Sequence, residues 1–94
     1  MSVQEIIKSG KATLIDVREE SELINEGRVP NAIHIPLGDI EYKVEEIEQM
    51  QKPIVLFCRS GNRSGKAIDF LESEGLEDLH NGMGFRDVLQ ALEE

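Results

Sequence analysis

With 94 residues, 39% of them hydrophobic, the chain can fill one modest core, and a single domain over residues 1–94 is expected. Its 19 acidic residues against 10 basic ones give a formal charge of −9, the wrong sign for a partner held through a phosphate backbone or an anionic lipid surface, so neither nucleic acid nor a membrane is expected. The single cysteine, Cys58, excludes an internal disulfide and a Cys-x2-Cys metal site, so no metal and no cofactor is expected.

Ser2, with Glu5 three positions on, has the spacing of a capping box, and Val3, Ile6 and Ile7 share one face of a helix stopped by Gly10. Thr13 to Val17 is a run too short for a helix and apolar enough for a strand buried on both faces. Glu19 to Ile24 reads as a short helix closed by Gly27. Ala32 to Ile35 is a second strand, bracketed by Pro30 and Pro36, which keep the chain extended on either side. Ile40, Val44 and Ile47 predict an amphipathic helix whose opposite, solvated face carries Glu41, Glu45, Glu46 and Glu48. Pro53 to Cys58 is the most apolar run and the expected central strand, with proline at its first position, where no ladder bond is lost.

From Arg63 to Glu74, Ala67, Ile68, Phe70 and Leu71 cover one arc of a helix that ends at Gly75. Glu77 to His80 is a short last strand, and Phe85, Val88, Leu89 and Leu92 mark a final helix. Strands alternating with helices imply an α/β fold, a three-layer α/β/α sandwich around a parallel sheet of four to five strands. No segment approaches the ~18 apolar residues of a membrane span, and Met1 to Glu5 start no signal-like run, so a cytoplasmic protein with a reduced thiol is expected. His34 and His80 read as packed or half-exposed side chains rather than as bases.

In an open parallel sheet, sites gather beyond the C-terminal ends of strands, which is where Cys58 falls. Arg59, Ser60, Gly61, Asn62, Arg63 and Ser64 follow it as a small, polar loop before the next helix face. Such a loop can turn backbone N–H groups around an anion and add the positive end of the helix. The same features stabilise a thiolate, so Cys58 is expected to be a nucleophile of depressed pKa. Residues 58 to 66 hold Arg59, Arg63 and Lys66 with no acid, a positive island on an acidic chain.

These residues also carry a resemblance. Leu14-Ile15-Asp16-Val17-Arg18-Glu19, the stretch from Gly27 to Pro36, and Ile54 to Ser64 with its Cys-Arg-x-Gly-x-Arg together resemble the signatures of single-domain rhodaneses, the thiosulfate sulfurtransferases. The resemblance implies a rhodanese-like fold and a persulfide cycle. In it, Cys58 takes the outer sulfur of thiosulfate, sulfite leaves, and the sulfur passes to cyanide or a thiol such as glutathione or thioredoxin. It also implies that the backbone from Arg59 to Ser64 cradles the sulfur, that Arg59 and Arg63 attract the anionic donor, and that Asp16 and Arg18 support the site from beside it. A monomer is expected. The sequence departs from the pattern at Arg28, Asn31 and the run Asn81-Gly82-Met83-Gly84-Phe85, which stands where the family commonly has Gly-Gly and a downstream tryptophan; this chain has no tryptophan.

Cysteine phosphatases and arsenate reductases of related logic need the second arginine one residue later, at position 64, which is serine here. The shorter loop favours a single sulfur atom over a tetrahedral oxyanion. Gly61 to Ala67 resembles a nucleotide-binding loop only at a glance, because its second glycine comes early and Ala67 supplies no hydroxyl for a metal. The remaining rival is a module that carries sulfur, or binds a partner, without turnover.

Overall fold

In the computed structural model, which describes residues 1–94, the chain runs α1 (Val3–Lys8), β1 (Thr13–Asp16), α2 (Glu20–Glu26), β2 (Ile33–His34), a 3-10 helix (Leu37–Tyr42), α3 (Val44–Glu48), β3 (Ile54–Cys58), α4 (Asn62–Ser73), β4 (Leu79–Gly84) and α5 (Phe85–Glu93). The four strands make one parallel sheet in the order β2-β1-β3-β4. β3 is buried along its whole length, as a strand needs to be when it has neighbours on both sides and helices on both faces.

Alternation along the strands splits the core in two. Ile15, Leu56 and Cys58 face the 3-10 helix, α3 and α4, where Ile40, Ile47, Ala67 and Leu71 meet them. Leu14, Val55 and Phe57 face α1 and α5, against Ile6, Ile7, Phe85 and Val88. The result is the expected α/β/α sandwich. None of its helices is long and apolar enough to cross a membrane.

Several elements differ from the sequence expectation. The amphipathic helix expected over Ile40, Val44 and Ile47 is two pieces, a 3-10 helix and α3, broken at Lys43, whose φ of −120° and ψ of 14° are not helical. Ile40 and Ile47 are nonetheless both buried, so the apolar spacing survives the change of helix type. The second strand shortens to Ile33–His34, and Ile33 at the sheet edge is left partly exposed. The last strand is longer than expected and lies further on, at Leu79–Gly84 rather than Glu77 to His80. α4 begins at Asn62, so Asn62, Arg63 and Ser64 belong to its first turn rather than to the loop.

β4 pairs with β3 through an irregularity: Leu56 is opposite Asn81, yet Phe57 is opposite Met83. The extra residue, Gly82, lies where a Cβ would stand 2.8 Å from Val55 Cγ1 and 3.1 Å from Val88 Cγ2. Only glycine lets β4 run this close to the face covered by α5. Gly82→Ala is therefore expected to cost about 1–3 kcal/mol through overpacking. Urea unfolding would show this as a lower midpoint at unchanged slope; a midpoint equal to wild type would mean the bulge is not tightly packed.

Candidate active site

Cys58 ends β3, and the chain must reverse at once to start α4 over the same sheet. Gly61 makes the reversal with φ 102°, a left-handed conformation that side chains disfavour. The turn brings the Gly61 N–H to 3.0 Å from Cys58 Sγ and the Ser64 Oγ to 3.5 Å. Cys58 is 1% exposed. Burial pushes the thiol up, but hydrogen bonds from the Ser64 side chain and from the backbone of Ser64, Ser60 and Gly61 outweigh it and hold the group down, from the ordinary 9.0 to about 7. Neither of the two cavities, about 220 Å³ beside α4 and about 250 Å³ beside α1, is lined by Cys58. Ser64 Oγ and the backbone of Ser60, Gly61 and Ser64 form a polar cage on the loop side of the sulfur, while Cys58 otherwise packs in the apolar core.

Of the loop residues singled out from sequence, Cys58, Gly61 and Ser64 come together in the interior, and Ser60 adds its backbone. Ser60 and Asn62 have exposed side chains. The arginines do not form the bare positive island read from the sequence. Arg63 gives two hydrogen bonds of 2.7 Å to the carboxylate of Glu22, and Arg59 pairs with Glu26 at 3.3 Å. Both acids come from α2, far along the chain, so a local count of charges could not find them. The Arg63 hydrogen bond holds Glu22 well below the usual carboxylate range, at about 2, and Glu22 in turn raises Arg63.

Asp16 and Arg18 meet at the C-terminal end of β1, level with Phe57 in the sheet register. Arg18 is wholly buried and gives Nε and Nη2 hydrogen bonds to Asp16, at 2.7 Å for the shortest, while Asp16 Oδ1 also accepts the Arg18 N–H at 3.0 Å. Arg18 Nη2 reaches the Gly27 carbonyl at 2.9 Å, and the guanidinium stacks 4.0 Å above the Phe85 ring. The pair thus joins β1, the end of α2 and the start of α5, without touching the sulfur. His34 Nε2 lies 2.7 Å from the Arg18 carbonyl, and His80 pairs with Asp78, so both histidines serve packing and pairing. No three His, Cys, Asp or Glu side chains gather where they could share a metal ion.

Asn81 and Met83 were visible in the sequence only as departures from a pattern. In the structure Asn81 reaches the first turn of α4: its Oδ1 accepts from Ser64 Oγ at 2.7 Å, and its Nδ2 donates to the Gly61 carbonyl at 3.0 Å. The half-exposed Met83 lies across Gly61, where a Cβ would be 2.9 Å from its Cε.

A family model described as Rhodanese-like domain matches residues 2–92. YtwF of Bacillus subtilis is 42% identical over 67 residues, covering 71% of this chain and 63% of that protein. A protein of Allochromatium vinosum named Sulfurtransferase is 32% identical over 81 residues, 86% of this chain and 74% of its own. Among solved structures, the human single-domain sulfurtransferase TSTD1 superposes with a TM-score of 0.72 at 26% identity, over 94% of this chain and 89% of that one. The chain spans 45–63% of the length of the first three curated relatives it matches.

Two measurements follow from this geometry. With a thiol held down to about 7, alkylation of Cys58 should rise through neutral pH and level off about one unit above it, whereas an unperturbed thiol would still be rising near pH 9. Asp16→Ala leaves the Arg18 charge buried and unpaired and should cost about 3–5 kcal/mol, against at most about 1 kcal/mol for Arg28→Ala, which breaks an exposed pair with Glu20. Equal losses of melting stability for the two would contradict the support assigned to Asp16.

Proposed function

The chain belongs to the rhodanese-like domain family, and on that footing we propose that it is a sulfurtransferase working through a persulfide on Cys58. The observation that carries this reading is the sulfur cage: a buried thiol at the end of a central parallel strand, met by the Gly61 N–H at 3.0 Å and by the first turn of α4. A thiolate attacks only when its charge is held without being quenched, and backbone N–H groups at a helix start do that. The cage is also close, which suits one added sulfur atom better than a phosphoryl group.

The cycle balances without an oxidant. The Cys58 thiolate attacks the sulfane sulfur of thiosulfate; a new S–S bond forms, the old one breaks, and sulfite leaves with the electron pair. Cyanide or a thiolate, glutathione or thioredoxin among the thiol candidates, then attacks the outer sulfur of the persulfide and returns Cys58 as thiolate. The backbone from Arg59 to Ser64 steadies the sulfur through both steps.

The electrostatic part of the reading changes in detail. Arg63 is already occupied by Glu22, so an anionic donor must compete with that carboxylate for it, while Arg59, whose side chain is 60% exposed, is the freer of the two. Glu22→Gln should lower the KM for thiosulfate about threefold, the size of a partly exposed ion pair, and the gain should fade as salt is raised. An unchanged KM would exclude Arg63 from donor binding.

The direct test is the mass of the protein after exposure to thiosulfate. A gain of one sulfur atom is expected, absent from Cys58→Ser, with little change in that variant's melting temperature. Steady-state turnover with cyanide then separates an enzyme from a carrier: a stable persulfide that cyanide does not discharge would favour the carrier. No mass gain on pre-reduced protein would refute persulfide formation from thiosulfate.

A further inference from the structure

We propose that Asn81 is a positioning residue for Cys58, which it governs by deciding where the single proton of the Ser64 hydroxyl points. The proposal rests on the reading of Cys58 as the reacting nucleophile, and its argument is a count of donors and acceptors. The Asn81 amide has only one possible orientation, because Met83 N–H donates to Oδ1 at 2.9 Å while Nδ2 donates to the Gly61 carbonyl at 3.0 Å. Oδ1 therefore faces Ser64, and a carbonyl oxygen cannot donate. The 2.7 Å contact between them must use the Ser64 proton. That leaves a lone pair of Ser64 Oγ, not a proton, toward Cys58 Sγ at 3.5 Å.

The consequence is a division between two states of the site. While Cys58 is a thiol, its S–H can donate to Ser64, and Ser64 to Asn81, a chain that is satisfied throughout. When Cys58 ionises, the hydroxyl must leave Asn81 to serve the sulfur. Asn81 thus opposes the thiolate through Ser64, while it helps the thiolate by holding Gly61, whose N–H donates to Sγ at 3.0 Å. The charged groups facing this cage are Arg59 in the loop, Arg63 in α4, Glu22 and Glu26 in α2 opposite the two arginines, and Glu19 beside Arg63. On β4 itself His80 is occupied by Asp78. None of these groups is changed by substitution at Asn81. β4 can present Asn81 to α4 because Gly82 takes up the irregularity in register beside it.

The test is a titration of Cys58, read by thiolate absorbance and by alkylation rate, in Asn81→Ala and Asn81→Asp, each with and without Ser64→Ala. Asn81→Ala frees the hydroxyl and should lower the midpoint by about one pH unit; Asn81→Asp, a stronger acceptor of the same shape that also adds a negative charge, should raise it by at least as much, and the part of that rise removed by Ser64→Ala is the part the hydroxyl carries. Both variants lose the bond to the Gly61 carbonyl, so mere loosening of the loop would move both midpoints upward. In the Ser64→Ala background the downward shift of Asn81→Ala should disappear, leaving only the upward shift from the lost Gly61 bond. Midpoints that move the same way in the two variants, or a downward Asn81→Ala shift that persists without the Ser64 hydroxyl, would overturn the proposal. Should Asn81→Ala fail to fold, the isosteric Asn81→Asp decides alone: its upward shift must shrink in Ser64→Ala, and an undiminished shift counts against Asn81. The titration needs no sulfur donor, so a protein that titrates as expected but gains no sulfur faults the persulfide reading and leaves this one standing.

Discussion

The arrangement around Cys58 depends on a charge placed where charge is expensive. Arg18 is wholly buried; Asp16, the Gly27 carbonyl and the Phe85 ring, one partner from each of three elements, compensate its guanidinium through Nε, Nη2 and the ring face, while Nη1 is left without a hydrogen-bond partner. A buried ion pair adds little net stability over apolar packing, but it tolerates almost no displacement, because every lost partner leaves a charge unsolvated. That intolerance fixes where α2 ends relative to β1 and α5. Glu22 and Glu26 lie on α2, so its position decides whether their carboxylates reach Arg63 and Arg59. Arg63 is in the first turn of α4, the turn whose backbone surrounds the sulfur. The buried pair and the nucleophile never touch, yet one sets the frame in which the other is held.

This frame makes the electrostatics of the site more balanced than a positive island. Each arginine of the Cys-Arg-x-Gly-x-Arg run has an acid from α2, and what remains to hold the thiolate is short-range: the Gly61 N–H, the backbone of Ser60 and Ser64, and the Ser64 hydroxyl. Hydrogen bonds at contact distance lose little to salt, unlike the field of exposed cations. The short-range cage therefore acts on the sulfur itself, while the arginines are held in ion pairs with α2, for which an anionic donor of the proposed reaction would have to compete.

How much of this the sequence revealed depends on the range of the interaction concerned. β1 and β3 are short apolar runs between turn signals, and Cys58 with its glycine-containing loop follows β3 directly, so both strands and the place of the cysteine at the turn are legible from neighbours alone. Asn81-Gly82-Met83-Gly84 has poor strand character and was expected to lie outside the sheet; pairing with β3 outweighs propensity there, since an edge beside a buried strand would otherwise go unpaired. The split of the expected helix at Lys43 was hidden because Ile40 and Ile47 keep their burial in either form. The acids that face the arginines lie 41 and 33 positions earlier in the chain, as Glu22 to Arg63 and Glu26 to Arg59, and no periodicity links them. Asn81 stood out only as an odd residue, and its contacts require the extra residue at Gly82, which a sequence pattern does not display.

The one-cysteine composition takes its meaning from this geometry. Were Cys58 to carry the proposed persulfide, no second thiol among these residues could resolve it, and the sulfur would leave to an external acceptor. The cage that stabilises the thiolate also makes Cys58 a better leaving group when that acceptor attacks, because a thiol of lower pKa departs more readily. A pKa near 7 would suit both halves of the proposed cycle: much lower, and the thiolate would be a weak nucleophile toward the donor; much higher, and too little of it would be ionised to attack, while departure from the persulfide would slow. Ser64, able to face either the sulfur or Asn81, stands where that compromise is set.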